Sequence, residues 1–346
     1  MPESSLDMFI STIPAVQGYR QDMDLLSDIL QQAGLRRRLL DLHTLPAEGA
    51  LQFPCERSIG FHVVLQGPVY IHTTADVAPL QLQGGDIALM ARGCHHVLAS
   101  GPVLPAGPLP RALPLPAALA REGGGGNPPP RLPGADEGSV VGGTAPAVVS
   151  AAWQLWHAPL HPLFAELPAW HVLRADTLPR LSPLPLTVAL LGAEVREHGL
   201  GAQTIIHGLF DAAFALLLRE VVAQLGRSGS GFSHALADAR VRRAVELMHT
   251  DTARPWTLES LARAVGLSRT ALAQKFRAAL GDTPLNYLRL LRMQQAMRLL
   301  TESTRPLDAV ATEVGYQDAF SFSKVFKRTV GVAPRDFRRQ DMSLAF

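Results

Sequence analysis

Trp256–Leu280 (WTLESLARAVGLSRTALAQKFRAAL) and Pro306–Val330 (PLDAVATEVGYQDAFSFSKVFKRTV) are two copies of one pattern. Leu258, Leu261, Ala262 and Val265 correspond to Leu307, Val310, Ala311 and Val314, an i, i+3, i+4, i+7 apolar set that marks one face of a two-turn helix. Gly266 and Gly315 follow where the chain must leave that helix, because glycine adopts positive φ at no steric cost. Ser268 and Asp318 then stand where a side-chain oxygen can cap the next helix. In that next helix only Leu272 and Phe276, or Phe322 and Phe326, are firmly apolar, so one side packs and the other stays open. Gly281-x-x-Pro284 and Gly331-x-x-Pro334 close the two copies alike. A short buried helix, a tight glycine turn and a second helix buried on one side describe a helix-turn-helix, and two copies separate it from an accidental hairpin.

Between the copies, Leu285–Thr301 (LNYLRLLRMQQAMRLLT) is one continuous helical pattern with Leu288, Leu291, Met297 and Leu300 among its apolar positions. At 1.5 Å per residue it spans about 25 Å, near the ~34 Å between successive major-groove faces of a duplex. Residues that read DNA are expected on the open side of each second helix. In the first unit these are Arg269, Thr270, Ala273, Gln274 and Arg277, in the second Ala319, Phe320, Ser323, Lys324 and Lys327. Gln274 has the donor–acceptor pair for adenine and Arg269 the fork for guanine. Phe320 suits a thymine methyl, or else packs against the connecting helix. Lys327 and Arg328 suit phosphate oxygens.

The net charge of +2 hides a partition. Residues 1–237 hold 14 basic against 19 acidic side chains, residues 238–346 hold 18 against 11, and all three lysines lie in the latter. A basic C-terminal third on a mildly acidic body points to a polyanion partner for one domain. With 47% hydrophobic and 18% charged residues the 346-residue chain is a globular protein of two or three domains. It has no long apolar run for a membrane span and no basic leader before one. Two cysteines, Cys55 and Cys94, are too few for a disulfide framework, so a cytoplasmic setting is expected.

Upstream, Met23–Gly34 has a helical pattern. Leu39–Leu45, Phe61–Gln66, Val69–Thr73, Leu80–Leu82, Asp86–Ala91, Val97–Ala99 and Ala147–His157 have strand character, with Gly-Pro and Gly-Gly punctuation. Short strands at close spacing predict a small barrel or jelly roll. Residues 101–147, with Gly123–Gly126 and Pro128–Pro130, have the composition of a disordered insertion. A proline-rich, turn-forming stretch leads to helical patterns at Leu186–Glu197 and Ala202–Leu225, the second nearly uncharged, as a helix buried against the body or a second subunit would be. Gly226–Gly231 (GRSGSG) is a flexible linker by composition. The expected organisation is an N-terminal extension (1–22), an effector and dimerisation domain (23–225), a linker (226–235) and a DNA-binding domain (236–340).

With these residues in hand, residues 240–339 resemble the DNA-binding domain of the AraC/XylS family. The resemblance is most specific in Gly315-Tyr316, Phe322-Ser323, Phe326-Lys327, Gly331, Pro334 and Phe337-Arg338. It implies seven helices, tandem reading of promoter DNA and RNA polymerase as a partner. Gly84–Ala99 (GGDIALMARGCHHVLA) is similar to the cupin sensor domains of that family, with Asp86, Arg92-Gly93 and His96 matching a cupin motif. The match departs at Ala91, where proline is usual, and at Val64, where a second metal-binding histidine is usual. The expected fold is therefore α+β, a cupin-like β-barrel with helices joined to an all-α domain of two helix-turn-helix units.

His62, Cys94, His95 and His96 are the effector or redox candidates. A thiol beside two histidines can have a lowered pKa and sense oxidants, or the cysteines can be inert buried thiols. These residues give no full zinc-type ligand set. No catalytic residue, metal or cofactor is expected, and Gly123–Gly126 lacks the Lys-Ser/Thr of a phosphate loop. The expected function is a sequence-specific regulator, an activator, controlled by a small molecule or oxidant, with a homodimer as its form. The alternatives are a metal-dependent cupin enzyme tethered to a DNA-binding domain, and a nucleoid-type DNA binder without a sensor.

Overall fold

Strand β3 (Ser58–Gln66, SIGFHVVLQ) organises the N-terminal half. Residues alternate sides along a strand, and here both sides are covered. Ile59, Phe61 and Val63 join the cluster that continues into the helices, while Val64 joins a second cluster between the sheets. That is why β3 is a nearly unbroken apolar run. The computed structural model describes residues 24–33, 38–53, 58–73, 77–91, 95–112, 145–154, 160–197, 199–227 and 231–343. The proposed N-terminal extension, Cys55 and Arg92–Cys94 lie outside these.

The remaining strands are β1 (Arg38–Thr44), β2 (Ala50–Phe53), β4 (Val69–His72), β5 (Leu80–Leu82), β6 (Ile87–Met90), β7 (His96–Ala99), β8 (Ala147–Gln154) and β9 (Trp170–Leu173). They form antiparallel sheets in the orders β1-β8-β3-β6-β9 and β2-β7-β4-β5. Leu45, Val64, Val69, Ile71, Leu82, Ala88, Leu98 and Val148 fill the space between them. Strand character alone misses β2 and β9. β2 (ALQF) has no β-branched residue and is defined by its pairing with β7, and β9 lies inside the stretch whose prolines predict turns. Residues 101–112, placed by composition in the disordered insertion, run beside β2. Gln52 N–H donates to the Pro110 carbonyl at 2.9 Å, and Ala112 N–H to the Gln52 carbonyl at 2.8 Å. Residues 113–144 lie outside the described residues.

Helix α1 (Leu25–Gln32) is capped by Asp24, whose carboxylate accepts the Ser27 N–H. Helices α2 (Pro162–Glu166), α3 (Pro183–Glu197) and α4 (Ala202–Gly226) follow. Phe210, Phe214, Leu217 and Leu218 of α4 pack with Phe61 and Trp153 of the larger sheet. A flexible linker over 226–235 is not what the described part of that segment forms: Gly231–Ala235 is a helical turn, α5, with Phe232, Ser233 and Ala235 buried. Burial of the Phe232 ring and donation of the Ser233 N–H to Glu166 Oε2 at 2.9 Å outweigh the local Gly/Ser preference.

Seven helices complete the described chain: α6 (Ala239–Thr250), α7 (Leu258–Ala264), α8 (Arg269–Leu280), α9 (Pro284–Glu302), α10 (Leu307–Glu313), α11 (Ala319–Val330) and α12 (Pro334–Ser343). The apolar residues of α9 are shared. Tyr287, Leu288 and Leu291 enter the cluster of the first repeat, and Met293, Ala296, Met297, Leu299 and Leu300 that of the second. No helix among the described residues is long and apolar enough to cross a membrane.

Candidate nucleic-acid interface and sensor site

Both repeats build the same turn. After α7 the N–H of Leu267 donates to the Ala262 carbonyl at 2.9 Å and that of Gly266 to Arg263 at 3.2 Å. After α10, Tyr316 donates to Ala311 at 2.8 Å and Gly315 to Thr312 at 3.0 Å. This paired closure satisfies carbonyls at a helix end around a residue with positive φ, and Gly266 and Gly315 have φ of 67° and 80°. Ser268 Oγ then accepts the Ala271 N–H at 3.1 Å and Asp318 Oδ1 the Ser321 N–H at 2.7 Å. Leu272, Phe276, Phe322 and Phe326 are each 0% exposed, which fixes how each second helix is rolled.

The opposite faces point outward. Arg269, Thr270, Gln274 and Arg277 are exposed and Ala273 is half-buried; Phe320, Lys324 and Lys327 are exposed, with Ala319 and Ser323 half-buried. Phe320 is 81% exposed, so packing against the connecting helix does not explain it. Ser323 Oγ donates to the Ala319 carbonyl at 2.6 Å, which leaves its lone pairs for accepting. Lys275 is taken up by Asp238 at 2.6 Å.

Arg292, from the middle of α9, holds the two units together. Its Nε donates to the Thr252 carbonyl at 2.9 Å and its Nη2 to those of Ala253 and Arg254 at 3.2 and 2.8 Å. Its guanidinium also lies over the Tyr316 ring of the second unit, 5.7 Å from the centroid. A Cβ on Gly315 would sit 2.4 Å from the Ala253 carbonyl oxygen, so the second turn glycine is needed for close approach as well as for φ. Arg338 similarly donates to the carbonyls of Leu300 and Arg305. These arginines are structural, and spacing within the repeats does not reveal them.

In the N-terminal domain the structure brings His62 and His96 together and leaves His95 exposed. His62 Nε2 and His96 Nε2 are 2.9 Å apart, and His62 Nδ1 is 2.7 Å from Ser150 Oγ on the paired strand β8. Phe53 stacks on His96 at 4.7 Å, Trp170 meets it edge-on at 4.9 Å, and His43 lies 5.4 Å from Phe53. Burial, and to a smaller degree the neighbouring His96 and His43, hold His62 well below the ordinary imidazole range. Burial brings His43 down to about 4. Sequence reasoning finds His62 and His96 but misses Phe53 and Trp170, because they come from the two strands it misses.

Asp86 is a clamp. It accepts from the backbone of Gln83 and Ala175 and from Arg174 Nη1, at 2.8–2.9 Å. Among the described residues no three His, Cys, Asp or Glu side chains converge as metal ligands. Among the described residues the Phe53 and Trp170 rings and the Ser150 hydroxyl lie against the imidazole pair, and these do not make up the ligand set of a cupin metal. The buried indole N–H of Trp170 has no hydrogen-bond partner, an opening for an acceptor atom. A separate cavity of about 280 Å³ lies between β3, the Gly85 turn and α3, lined by apolar side chains and Arg196.

Residues 24–223 match a protein family described as Cupin, and residues 261–340 one described as Helix-turn-helix domain. A protein of Streptomyces antibioticus named as an AraC-like transcription regulator is 29% identical over 328 residues, 92% of this chain and 100% of that protein. The RCS-specific HTH-type transcriptional activator RclR of Escherichia coli (strain K12) is 32% identical over 158 residues, 46% of this chain and 55% of that one. Among solved structures, the DNA-binding domain of AdpA in complex with a target DNA is 27% identical, with a TM-score of 0.29, and the match covers 30% of this chain and 92% of that chain.

Proposed function

The chain belongs to the family defined by that cupin match, joined to an AraC-type helix-turn-helix domain, and on that footing we propose that it is a sequence-specific transcription activator with a sensory N-terminal domain. The observation that carries this is the outward face presented by both α8 and α11, two helices capped at the same position and rolled by buried residues at the same two positions. Arg269, Thr270, Ala273, Gln274 and Arg277 meet one major-groove face of promoter DNA, and Ala319, Phe320, Ser323, Lys324 and Lys327 the next. RNA polymerase and a second copy of the chain are the protein partners. The outward-facing Leu186, Leu190 and Ile205 of α3 and α4 suit the second copy.

The effector is a small molecule or an oxidant received in the barrel beside His62 and His96, with His95 and Cys94 on the adjoining segment. The buried, unpartnered Trp170 N–H supports a ligand with an acceptor atom. The function is regulatory and not enzymatic. Elemental analysis of the purified protein separates this from the metal-cupin enzyme, since stoichiometric iron, manganese or nickel would replace it.

Selection of bound DNA from a random pool, with and without mild oxidant, tests the function. The expected product is a pair of short motifs about 10–10.5 bp apart, because successive major-groove faces lie one helical turn apart. A single motif, or no enrichment, overturns tandem reading. Enrichment that does not respond to oxidant, and is the same for Cys94→Ser, assigns the signal to a small molecule. A reporter driven by the selected site gives the direction of regulation, and a fall in output on adding the protein would make it a repressor.

A further inference from the structure

Where the sensor domain meets the first helix-turn-helix unit, four side chains from four separate parts of the chain form one hydrogen-bonded line. Asp28 lies in α1, His161 caps α2, His249 is in the last turn of α6, and Tyr287 is in the first turn of α9. His161 and Tyr287 are each 2% exposed and His249 4%. Asp28 Oδ2 is 2.5 Å from His249 Nδ1, His249 Nε2 is 2.8 Å from Tyr287 Oη, and Tyr287 Oη is 2.9 Å from His161 Nε2. The line ends at His161 Nδ1, 3.2 Å from the Leu163 N–H.

That end sets the direction of every proton. Leu163 N–H can only donate, so His161 Nδ1 accepts and a neutral His161 carries its proton on Nε2. His161 Nε2–H then donates to Tyr287 Oη, and the Tyr287 hydroxyl donates to His249 Nε2. His249 is left with its proton on Nδ1, donated to the Asp28 carboxylate, which also accepts from Gln32 Nε2 at 2.8 Å. With both imidazoles neutral, every N–H and O–H in the line has an acceptor and no two donors face each other. One more proton breaks the pattern. On His161 Nδ1 it faces the Leu163 N–H, donor against donor. On His249 Nε2 it turns a second donor toward Tyr287 Oη and leaves the buried hydroxyl hydrogen without an acceptor.

Among the described residues no charge is placed to compensate a cation at His161. Its ring neighbours are Phe164, Phe232, Tyr287 and His249. The carboxylates of α1, α2 and α6 are engaged elsewhere. Asp24 of α1 is bound by Ser27 and lies near Arg219 of α4, Glu166 of α2 accepts the Ser233 N–H, Glu246 of α6 pairs with Arg242 and Arg243, and Asp28 sits at the far end of the line. α8 contributes the Phe276 ring. Burial, and then His249, hold His161 well below the ordinary imidazole range.

We propose that Asp28, His249, Tyr287 and His161 form an interdomain latch that holds the sensor domain against the first helix-turn-helix unit while both imidazoles are neutral and releases it when the line takes up a proton. Undocking exposes His161 to water, where it titrates near 6.5. The open form therefore binds more protons at acid pH, and docking is full above about pH 6.5 and weakens below it, by up to tenfold per unit for one proton.

Segment-resolved hydrogen exchange on the full chain, corrected for intrinsic rates between pH 7.5 and 5, tests the latch. Protection of 160–166, 245–250 and 284–288 should fall below about pH 6.5 by up to tenfold per unit, while that of 319–330 in the second unit stays level. Tyr287→Phe keeps the ring packing, removes the central oxygen, and should lower protection of those three segments at pH 7.5. His161→Asn keeps a capping oxygen for Leu163 and removes the titration, so the pH slope should flatten. Protection in the native chain that is level across this range overturns the latch, whether or not either variant folds. So does a slope that is the same in His161→Asn.

Discussion

Phe320 lies in the first turn of α11 and Gln274 in the second turn of α8, and both side chains are exposed and contribute no packing to the fold. Phe320→Ala should change stability by no more than about 0.5 kcal/mol, as exposed substitutions do, while weakening binding to the selected site. Thermal denaturation beside a titration with the selected duplex checks both halves, and a protein that melts much earlier would place the ring in the core. Gln274→Ala should shift preference at one base position by about 1–3 kcal/mol, and equal loss on all sequences would remove Gln274 from base reading. Lys327→Ala should weaken all duplexes similarly and lower the salt slope by about one unit.

In the barrel, His43 has a pKa of about 4 when folded and about 6.5 when unfolded. The unfolded chain therefore takes the proton first as pH falls. The stability that goes with neutral His43 is intact above pH 6.5 and is lost between there and 4, by up to about 3 kcal/mol. Buried His62 and His161 act in the same direction. Melting temperatures from pH 7.5 to 4 should decline less steeply for His43→Gln than for the native chain, and parallel curves would refute the assignment. The single letters mark His62 and His96 as candidates, but not which rings meet them. That depends on register, which places Phe53 opposite His96 and Trp170 opposite Met90.

Among the elements, the two helix-turn-helix units are legible because their evidence is local. Apolar spacing, a turn glycine and a capping oxygen all lie within 25 residues of one another. β2 and β9 are not: β9 lies among prolines that signal turns, and both are defined by pairing with strands far away in the chain, β7 and β6. α5 defies its composition for the same reason: Phe232 is buried against residues that the linker itself does not contain. The spacing between units is also a long-range property, set by Arg292, which clamps three carbonyls after α6 and covers Tyr316. Arg292→Met keeps much of the stem and loses the fork. It should weaken binding to a duplex with both motifs by about tenfold or more, while a duplex with one motif loses little, because the paired contacts no longer fit together. Equal losses on the two duplexes would show that Arg292 does not set spacing. Lysine should not restore it, being a point charge where a planar fork is used.

Over the whole molecule, the two repeats are alike in sequence and unlike in surroundings. The first shares one continuous core with the N-terminal domain, running from Ile59 and Phe61 through Phe210 and Phe232 to Leu272, Phe276 and Leu291. The second has its own core of Met293, Met297, Leu300, Val310, Val314, Phe322, Phe326 and Phe337, and it meets the rest through α9 and the Arg292 clamp. Among the described residues the N-terminal domain is thus joined to the first unit by a shared core, and to the second through α9 and the segment after α6 that Arg292 and Gly315 meet. Stability should divide in the same way, since contiguous cores open as cooperative units. Truncating a buried phenylalanine costs about 3–5 kcal/mol, enough to open a small unit by itself. Phe322→Ala should therefore raise hydrogen exchange across α10, α11 and α12 while α3, α4 and α8 keep their native protection, and the protein should still hold a one-motif duplex through its first unit. Phe276→Ala, its counterpart in the first repeat, should loosen α8 together with the N-terminal-domain helices packed on the shared core. If both variants exchange uniformly along the chain, the molecule has one cooperative core and the second unit is no freer than the first.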